Sequence, residues 1–532
     1  MSAHSNVEKI LASIASAASR PLQHRLIGIE KESLRVAGDG TLAKTTHPRA
    51  LGSALTHPYI TTDFSEVLLE FVTPPLPTAT QVIDFLEEIH GCVYRHIGNE
   101  LLWCASMPCT IRDGTDIPLA YYGSSNIGRM KTIYRRGLAY RYGRFMQTIA
   151  GVHFNYSLEN TFWQWFYQYL GSSESMSDFR SERYMGLIRN FLRVAWMIPY
   201  LFGASPAISR TFVAEGAHDL RPFDDTTLFA PYATSLRMGD IGYQNNREAD
   251  IGVKACYDNL KQYVHCLGRA VGSEYQPYRL LGIKEGGEYR QLNANILQIE
   301  NEYYSTIRPK HQSSGDEMPL AILRSKGVQY VELRSLDIDI IENTGVGVEQ
   351  LCFLEALMIF CLLDDSPLID TQHWEMIDGN EIKVAQEGRY PNLELNYFGN
   401  KRKLKEWGID VCMRMQAVCD LLDSQCNNDI YRSALRKQME KFHHPDLCPS
   451  ALMLEEMRQN QQSFVELIRH YATQKKGYFM QYPVDTEHLR QFEQTAQNSI
   501  DEQKRLEKTD KLSLDQYIEN YYAQLNDLNY EL

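Results

Sequence analysis

The sequence holds neither GxSxG nor HExxH, so the nucleophile elbow of serine hydrolases and the two-histidine helix of zinc peptidases have no support. Its eleven cysteines are odd in number, scattered and without a CxxC pair, which fits reduced thiols better than a disulfide framework. They read as reduced thiols, with Cys109 and the rest as small buried hydrophobes. Long apolar runs are also missing. The longest, LCFLEALMIFCLL from Leu351 to Leu363, is too short and too charged to span a bilayer and reads as a buried helix. Near the N-terminus, Glu8 and Lys9 precede a weak small-residue stretch that lacks the apolar centre of a signal peptide, so the cytoplasm is the expected compartment. Basic residues, 54 against 67 acidic, are in the minority, and the net charge of −13 argues against a nucleic-acid or anionic-membrane surface. GSSNIGRM (Gly123 to Met130) has the glycines of a phosphate loop, but Arg129 and Met130 stand where Lys and Ser or Thr are needed; a short cover over substrates or a plain turn is expected there. His90, Cys92 and His96 lack a zinc spacing and read as structural or exposed.

What is present is a soluble globular composition, 44% hydrophobic and 23% charged. Two-residue periodicity predicts strands in IGIEKESLRV, FSEVLLEFV, GVHFNYSL and VQYVELRSLDI. Three- and four-residue spacing predicts helices over the first twenty residues, over Thr78 to Leu102 and over Ser181 to Gly203. The strands are separated by helices of varied length without regular βαβ alternation, so an α+β fold with one mostly antiparallel sheet is expected. Residues 1–403 read as one catalytic body and 404–532 as a polar helical region packed on it, in a monomer.

The strands share a pattern. Glu30 and Glu32 point to one face because strand side chains alternate, and so do Glu66 with Glu70, His153 with Asn155, and Glu332 with Arg334. Like charges so close raise each other's pKa unless something neutralises them. Carboxylates with at most one imidazole are hard ligands suited to Mg²⁺ or Mn²⁺, and magnesium held this way keeps positions for phosphate oxygens, which points to ATP. The competing reading, of solvated surface glutamates, weakens when four strands repeat the pattern.

These same stretches, with LGSALTHPYITTDFSEVLLEFVTP, YGSSNIGRMKTIYRRGLAYRYG, MQTIAGVHFNYSL, YLFGASPA, YATSLRMGDIGY and LQIENEYYSTIRPK, resemble in order the motifs of the glutamate-cysteine ligase family of proteobacterial type from about residue 20 to 345. The resemblance implies a glutamine-synthetase-like curved antiparallel sheet that forms a funnel, with metals on its inner face and helices outside. It implies an enzyme that uses ATP to activate the γ-carboxylate of L-glutamate for attack by L-cysteine, the first step of glutathione synthesis, with glutathione as a possible feedback inhibitor. By matched position, Glu30, Glu32, Asp63, Glu70, His153 and Glu332 would hold two or three Mg²⁺ ions, Asp63 alternatively meeting the cysteine amine. Arg334 would steady the transferred phosphoryl group, with a salt bridge to Glu332 as its structural alternative. Arg308 would serve the phosphates or the tetrahedral intermediate, Arg237 the glutamate carboxylate, and Tyr134, Gln147, Tyr243 and Tyr304 the cysteine pocket. Other outcomes are a ligase with a different amine acceptor, or a noncatalytic nucleotide-binding relative. The chain is too short to carry glutathione synthetase after residue 404, so a separate protein is expected to complete glutathione.

Overall fold

The computed structural model describes residues 3–213, 218–242, 254–313 and 315–526. Its frame is a seven-stranded sheet built from β1 (Arg25–Val36), β2 (Ile60–Thr62), β3 (Leu68–Val72), β4 (Leu101–Leu102), β5 (Val152–Leu158), β6 (Ile307–Lys310) and β7 (Tyr330–Leu336). Six strands lie in the order β6-β7-β5-β1-β3-β2, and β4 joins the end of β1. Every pairing is antiparallel, as the sequence implied. All four expected strands are present, but FSEVLLEFV forms a strand only from Leu68. Its Glu66 turns away from the sheet face and accepts hydrogen bonds from the backbone N–H groups of His47 and Tyr121, both at 2.9 Å, so it fastens two loops.

One sheet face carries Ile27, Ile29, Phe71, Phe154, Tyr156, Val331 and Leu333, each fully buried. The helix Val348–Leu363 packs against β5 on this side. From Gln350 to Leu363 each of its residues is buried, as its all-round hydrophobicity demands. Two helix expectations need correction. The helix begun by Thr78, whose side chain accepts from the Gln81 N–H, ends at Tyr94; Gly98 at φ 59 turns the chain, and Leu101–Leu102 become β4. The run from Ser181 to Gly203 divides into Met176–Val194 and Met197–Phe202, because Pro199 has no N–H to bond the Ala195 carbonyl. The expected N-terminal helix is present over Ala3–Ser16. GSSNIGRM is a helix start: Ser125 caps Asn126–Tyr142 by accepting from the Gly128 N–H.

The region after residue 403 is helical, with Leu404–Cys426, Ile430–His443, Pro449–Asn460, Phe464–Gln481, Thr486–Thr509 and Leu514–Ala523 as its longer members. It is tied to the first strand by a buried network. Arg25 Nε donates to Glu355 Oε1 at 2.5 Å, Arg25 Nη2 donates to the Tyr431 hydroxyl at 3.1 Å, and that hydroxyl donates to Glu355 Oε2 at 2.6 Å. Removing one partner of a buried pair strands the other charge, so Arg25→Met is expected to lower folding stability by about 3–5 kcal/mol. The double variant Arg25→Met/Glu355→Leu should recover most of that in urea titrations, and an equal or larger loss would refute the network as described.

Candidate active site

The opposite sheet face collects the polar residues, and the strand register explains how. Glu32 lies directly across from Glu70, Glu30 across from His153, Glu332 across from Asn155 and Arg308 across from Glu332. Opposed residues of an antiparallel pair share a face, so β3, β1, β5, β7 and β6 together lay out one acidic and basic band. Ligating atoms of Glu30, His153 and Glu332 lie within 4.8 Å of one another. His153 Nδ1 is 3.1 Å from Glu30 Oε2, and Asn155 Nδ2 donates to Glu30 Oε1 at 2.9 Å. Between Leu333 and Leu336 the pairing of β7 with β5 slips. Such irregularities re-aim side chains, and here Arg334 turns to reach Glu332 Oε1 at 3.3 Å and His153 Nδ1 at 3.5 Å. The salt bridge to Glu332 is therefore formed.

Charge divides this band into two parts. Burial raises the Glu332 carboxyl, but Lys310, Arg334 and Arg308 outweigh it and hold the group well below the carboxylate range. Burial likewise raises Glu30, and the hydrogen bond from His153 turns the balance downward. Burial and the Arg334 charge lower His153, so its imidazole is neutral at neutral pH, the form that ligates metals. At the β1/β3 end the balance reverses. Burial and Asp63 push Glu32 up to about 8, and burial with Glu30, Asp63 and Glu32 pushes Glu70 well up. There Arg237 and Arg334 near Glu32, and Arg135 near Glu70, do not offset burial and the neighbouring carboxylates. Meanwhile Glu332 Oε2 and Asn155 Oδ1 are buried without a hydrogen-bond partner. Buried acceptors left bare are rare in folded proteins, and these two, with hard carboxylates and one neutral imidazole, fit a divalent cation.

Asp63 sits in the turn between β2 and β3, its side chain 38% exposed and 3.7 Å from Arg135 Nη2. Arg237 lies in the short helix Leu236–Met238, buried, and its Nη2 donates to the Arg334 carbonyl at 2.7 Å. Gly151, whose N–H donates to Glu32 Oε2 at 2.7 Å, passes so close that a Cβ there would sit 2.2 Å from Arg237 Nη2. Gly151→Ala is expected to displace the Arg237 side chain, and a crystal structure of the variant with Arg237 unmoved would refute this contact. Gln147 Nε2 donates to the Tyr304 hydroxyl at 3.1 Å, so these two meet. Tyr134 packs beside Met130 and Ile133 with the helix Leu514–Ala523, and Tyr243 lies outside the described residues. Arg308, opposite Glu332, donates to the Asn301 carbonyl at 3.2 Å and lines a cleft of about 250 Å³ with Lys310, His311, Tyr263, Tyr330 and Glu300.

Two residues of the site escaped sequence reasoning, and a third was placed on the polar face without a role. Lys310 lies 3.8 Å from Glu332 and helps to hold it ionised. Arg135 donates to the Asp63 carbonyl and stacks over the Tyr122 ring at 4.6 Å. Asn155 donates to Glu30 and lies across from Glu332 in the strand register. Only Asn155 had a signal, its alternation with Phe154 and Tyr156.

The model of the glutamate-cysteine ligase family matches residues 11–384. This chain belongs to the glutamate-cysteine ligase family. Among its relatives, the glutamate-cysteine ligase of Pseudomonas putida (strain W619) is 45% identical over 504 residues, 95% of this chain and 96% of that one. The glutamate-cysteine ligase of Alcanivorax borkumensis is 44% identical over 500 residues, covering 93% and 95% of the two chains. A crystal structure of the Francisella tularensis glutamate-cysteine ligase in complex with AMP superposes with a TM-score of 0.89 at 34% identity, covering 95% of this chain and 99% of that one. The sheet with helices on its outer side is thus the glutamate-cysteine ligase fold. The enzyme joins glutamate to cysteine, the first step of glutathione synthesis, and neither a different amine acceptor nor a noncatalytic role is favoured. Among the described residues no helix is long and apolar enough to cross a membrane.

Proposed function

We propose that this ligase phosphorylates the γ-carboxylate of L-glutamate with ATP and that the amine of L-cysteine then displaces phosphate, giving γ-glutamylcysteine, ADP and phosphate. The observation that carries the mechanism is the buried band itself, with the bare Glu332 Oε2 flanked by Arg308, Lys310 and Arg334. Glu30, His153 and Glu332 would hold one Mg²⁺, and Glu32, Glu70 and Asp63 would complete a shell for one or two more, with Mn²⁺ as the alternative metal. When bound, magnesium neutralises phosphate oxygens and accepts them as ligands.

The chain's own groups do the remaining work. The cleft beside Arg308 and Lys310 receives the nucleotide, and these two cations face its phosphates. Arg334 leaves its salt bridge to meet the transferred phosphoryl group, a task for a planar guanidinium. Arg237, next to Glu32 and steadied by the Arg334 carbonyl, holds the α-carboxylate of glutamate. Gln147 and Tyr304, already hydrogen-bonded, wall the cysteine side, with Tyr134 and Tyr243 proposed beside them. Glutathione contains the γ-glutamylcysteine moiety and would compete for the same positions. The described helices after residue 403 are read as part of the same folded body as the sheet, a reading supported by the Arg25, Glu355 and Tyr431 network. The enzyme acts as a cytoplasmic monomer.

The test is ADP release from Mg-ATP and L-glutamate with and without L-cysteine, with mass detection of product. Cysteine-dependent release with γ-glutamylcysteine supports the mechanism. Turnover that needs no divalent cation would overturn the metal assignment, and turnover with another amine alone would overturn the cysteine pocket.

A further inference from the structure

The helix Leu514–Ala523 meets the acceptor side of the site through polar groups as well as packing. Its Leu514, Tyr517 and Ile518 share an apolar cluster with Met130, Ile133 and Tyr134 of the helix Asn126–Tyr142. At its last turn the Tyr522 hydroxyl accepts from Asn293 Nδ2 and donates to the Gln298 carbonyl, both at 2.7 Å.

Gln298 has no solvent exposure, and each of its polar atoms is engaged. Its backbone N–H and its Nε2 donate to Glu302 Oε2 at 2.7 and 3.2 Å, Nε2 also donates to the Tyr134 carbonyl at 3.2 Å, and Oε1 accepts from the Leu292 N–H at 3.0 Å. The helix Asn126–Tyr142 comes so near that a Cβ at Gly137 would sit 2.0 Å from Gln298 Oε1. Glu302, equally buried, carries the connection onward: its Oε1 accepts from the Tyr142 hydroxyl and from Arg141 Nη1, both at 2.9 Å. The Tyr142 ring meets the Tyr304 ring edge-on with centroids 6.1 Å apart, and the Tyr304 hydroxyl accepts from Gln147. Hydrogen bonds and one ring contact thus run from Tyr522 to both halves of the wall.

We propose that Tyr522 is a positioning residue for the amine acceptor, fixing Tyr134 through Gln298 and Tyr304 by way of Glu302 and Tyr142. The proposal rests on the reading of Tyr134, Gln147 and Tyr304 as the cysteine wall. A buried polar network whose members are all satisfied holds its side chains in one arrangement, and a wall for a small acceptor works only when it is held in place. The helix Leu514–Ala523 therefore acts on binding of the acceptor rather than on that of the nucleotide.

Tyr522→Phe is a mild probe. Without the hydroxyl, Asn293 Nδ2 still reaches the Gln298 carbonyl at 3.1 Å, so no buried group is left bare and the chain should fold. Initial rates of the full-length enzyme are measured with L-cysteine, L-glutamate and Mg-ATP varied in turn. The expected result is a KM for cysteine raised about 3- to 10-fold, with kcat and the other two KM values little changed. Asn520→Ala, exposed on the same helix, should behave as the parent. Tyr304→Phe, which alters the wall itself, should also raise the KM for cysteine. If Tyr304→Phe raises it and Tyr522→Phe does not, the proposal falls and the wall stands. If Tyr304→Phe leaves it unaltered, the wall reading falls and takes the proposal with it. Equal rises in all three KM values for Tyr522→Phe would mean a general loosening and would likewise overturn the positioning role.

Discussion

Glu32→Gln is expected to yield a folded protein with ligase turnover lowered about 10²–10³-fold and, without metal, with higher stability than the parent at alkaline pH. The first half follows from the register: Glu32 faces Glu70 at the end of the band where the arginines do not offset the carboxylates, so a cation has most to neutralise there. The second half is a matter of sign. Burial and Asp63 raise Glu32 to about 8 in the folded chain, above its ordinary value of 4.5. The folded state therefore binds a proton that the unfolded state has lost over that interval. Stability from this proton is fully present below pH 4.5 and disappears as pH rises through 8, on the order of several kcal/mol. Glutamine cannot ionise, and its side-chain carbonyl keeps the hydrogen bond from Gly151. In chelator-treated samples the urea midpoints of parent and variant should be close near pH 5 and diverge by pH 8.5 in favour of the variant. Added Mg²⁺ should stabilise the parent increasingly with pH and the variant little. Equal turnover in the two forms would remove Glu32 from the metal-holding set.

Strand alternation sufficed to place Glu30, Glu32, Glu70, His153, Glu332 and Arg334 on inward faces, because a period of two is a local property. Which strands are neighbours was not local. That Glu32 meets Glu70 while Glu30 meets His153 depends on pairing strands far apart in the chain, and only the structure supplies that register. The division of the band into an ionised part and a protonated part was illegible for the same reason, since Lys310 acts on Glu332 from the adjoining strand. Glu66 shows the opposite failure: it fits the alternation, yet two backbone N–H groups from distant loops capture it. Lys31 breaks the pattern on the apolar face, where it reaches Ser33 Oγ at 2.6 Å and His90 Nε2 at 3.1 Å, and burial lowers it to about 7. Alternation alone assigns a lysine there no partner. Where the helices end was set by Gly98 and Pro199, residues the periodicity overrode.

Arg334→Ala is expected to lower kcat by about 10³–10⁵, the range that a guanidinium placed on a transferring phosphoryl group commands, while the KM values for ATP and glutamate move little. The slip in β7 aims this side chain at Glu332 and His153, so it also sets their charge. Arg334 helps to depress His153 and Glu332, and its removal lets both rise. His153 would then gain a proton at a higher pH than in the parent, and an imidazolium does not bind a metal. The acid limb of the pH–rate profile should accordingly shift to higher pH in the alanine variant. Arg334→Lys separates the two roles: it restores the charge that holds Glu332 and His153, so the acid limb should return, but a point charge does not replace a bidentate fork, so kcat should stay at least 10-fold low. If lysine restores both the limb and kcat, the residue is a structural partner of Glu332, and the phosphoryl group must be met by Arg308 and Lys310 alone.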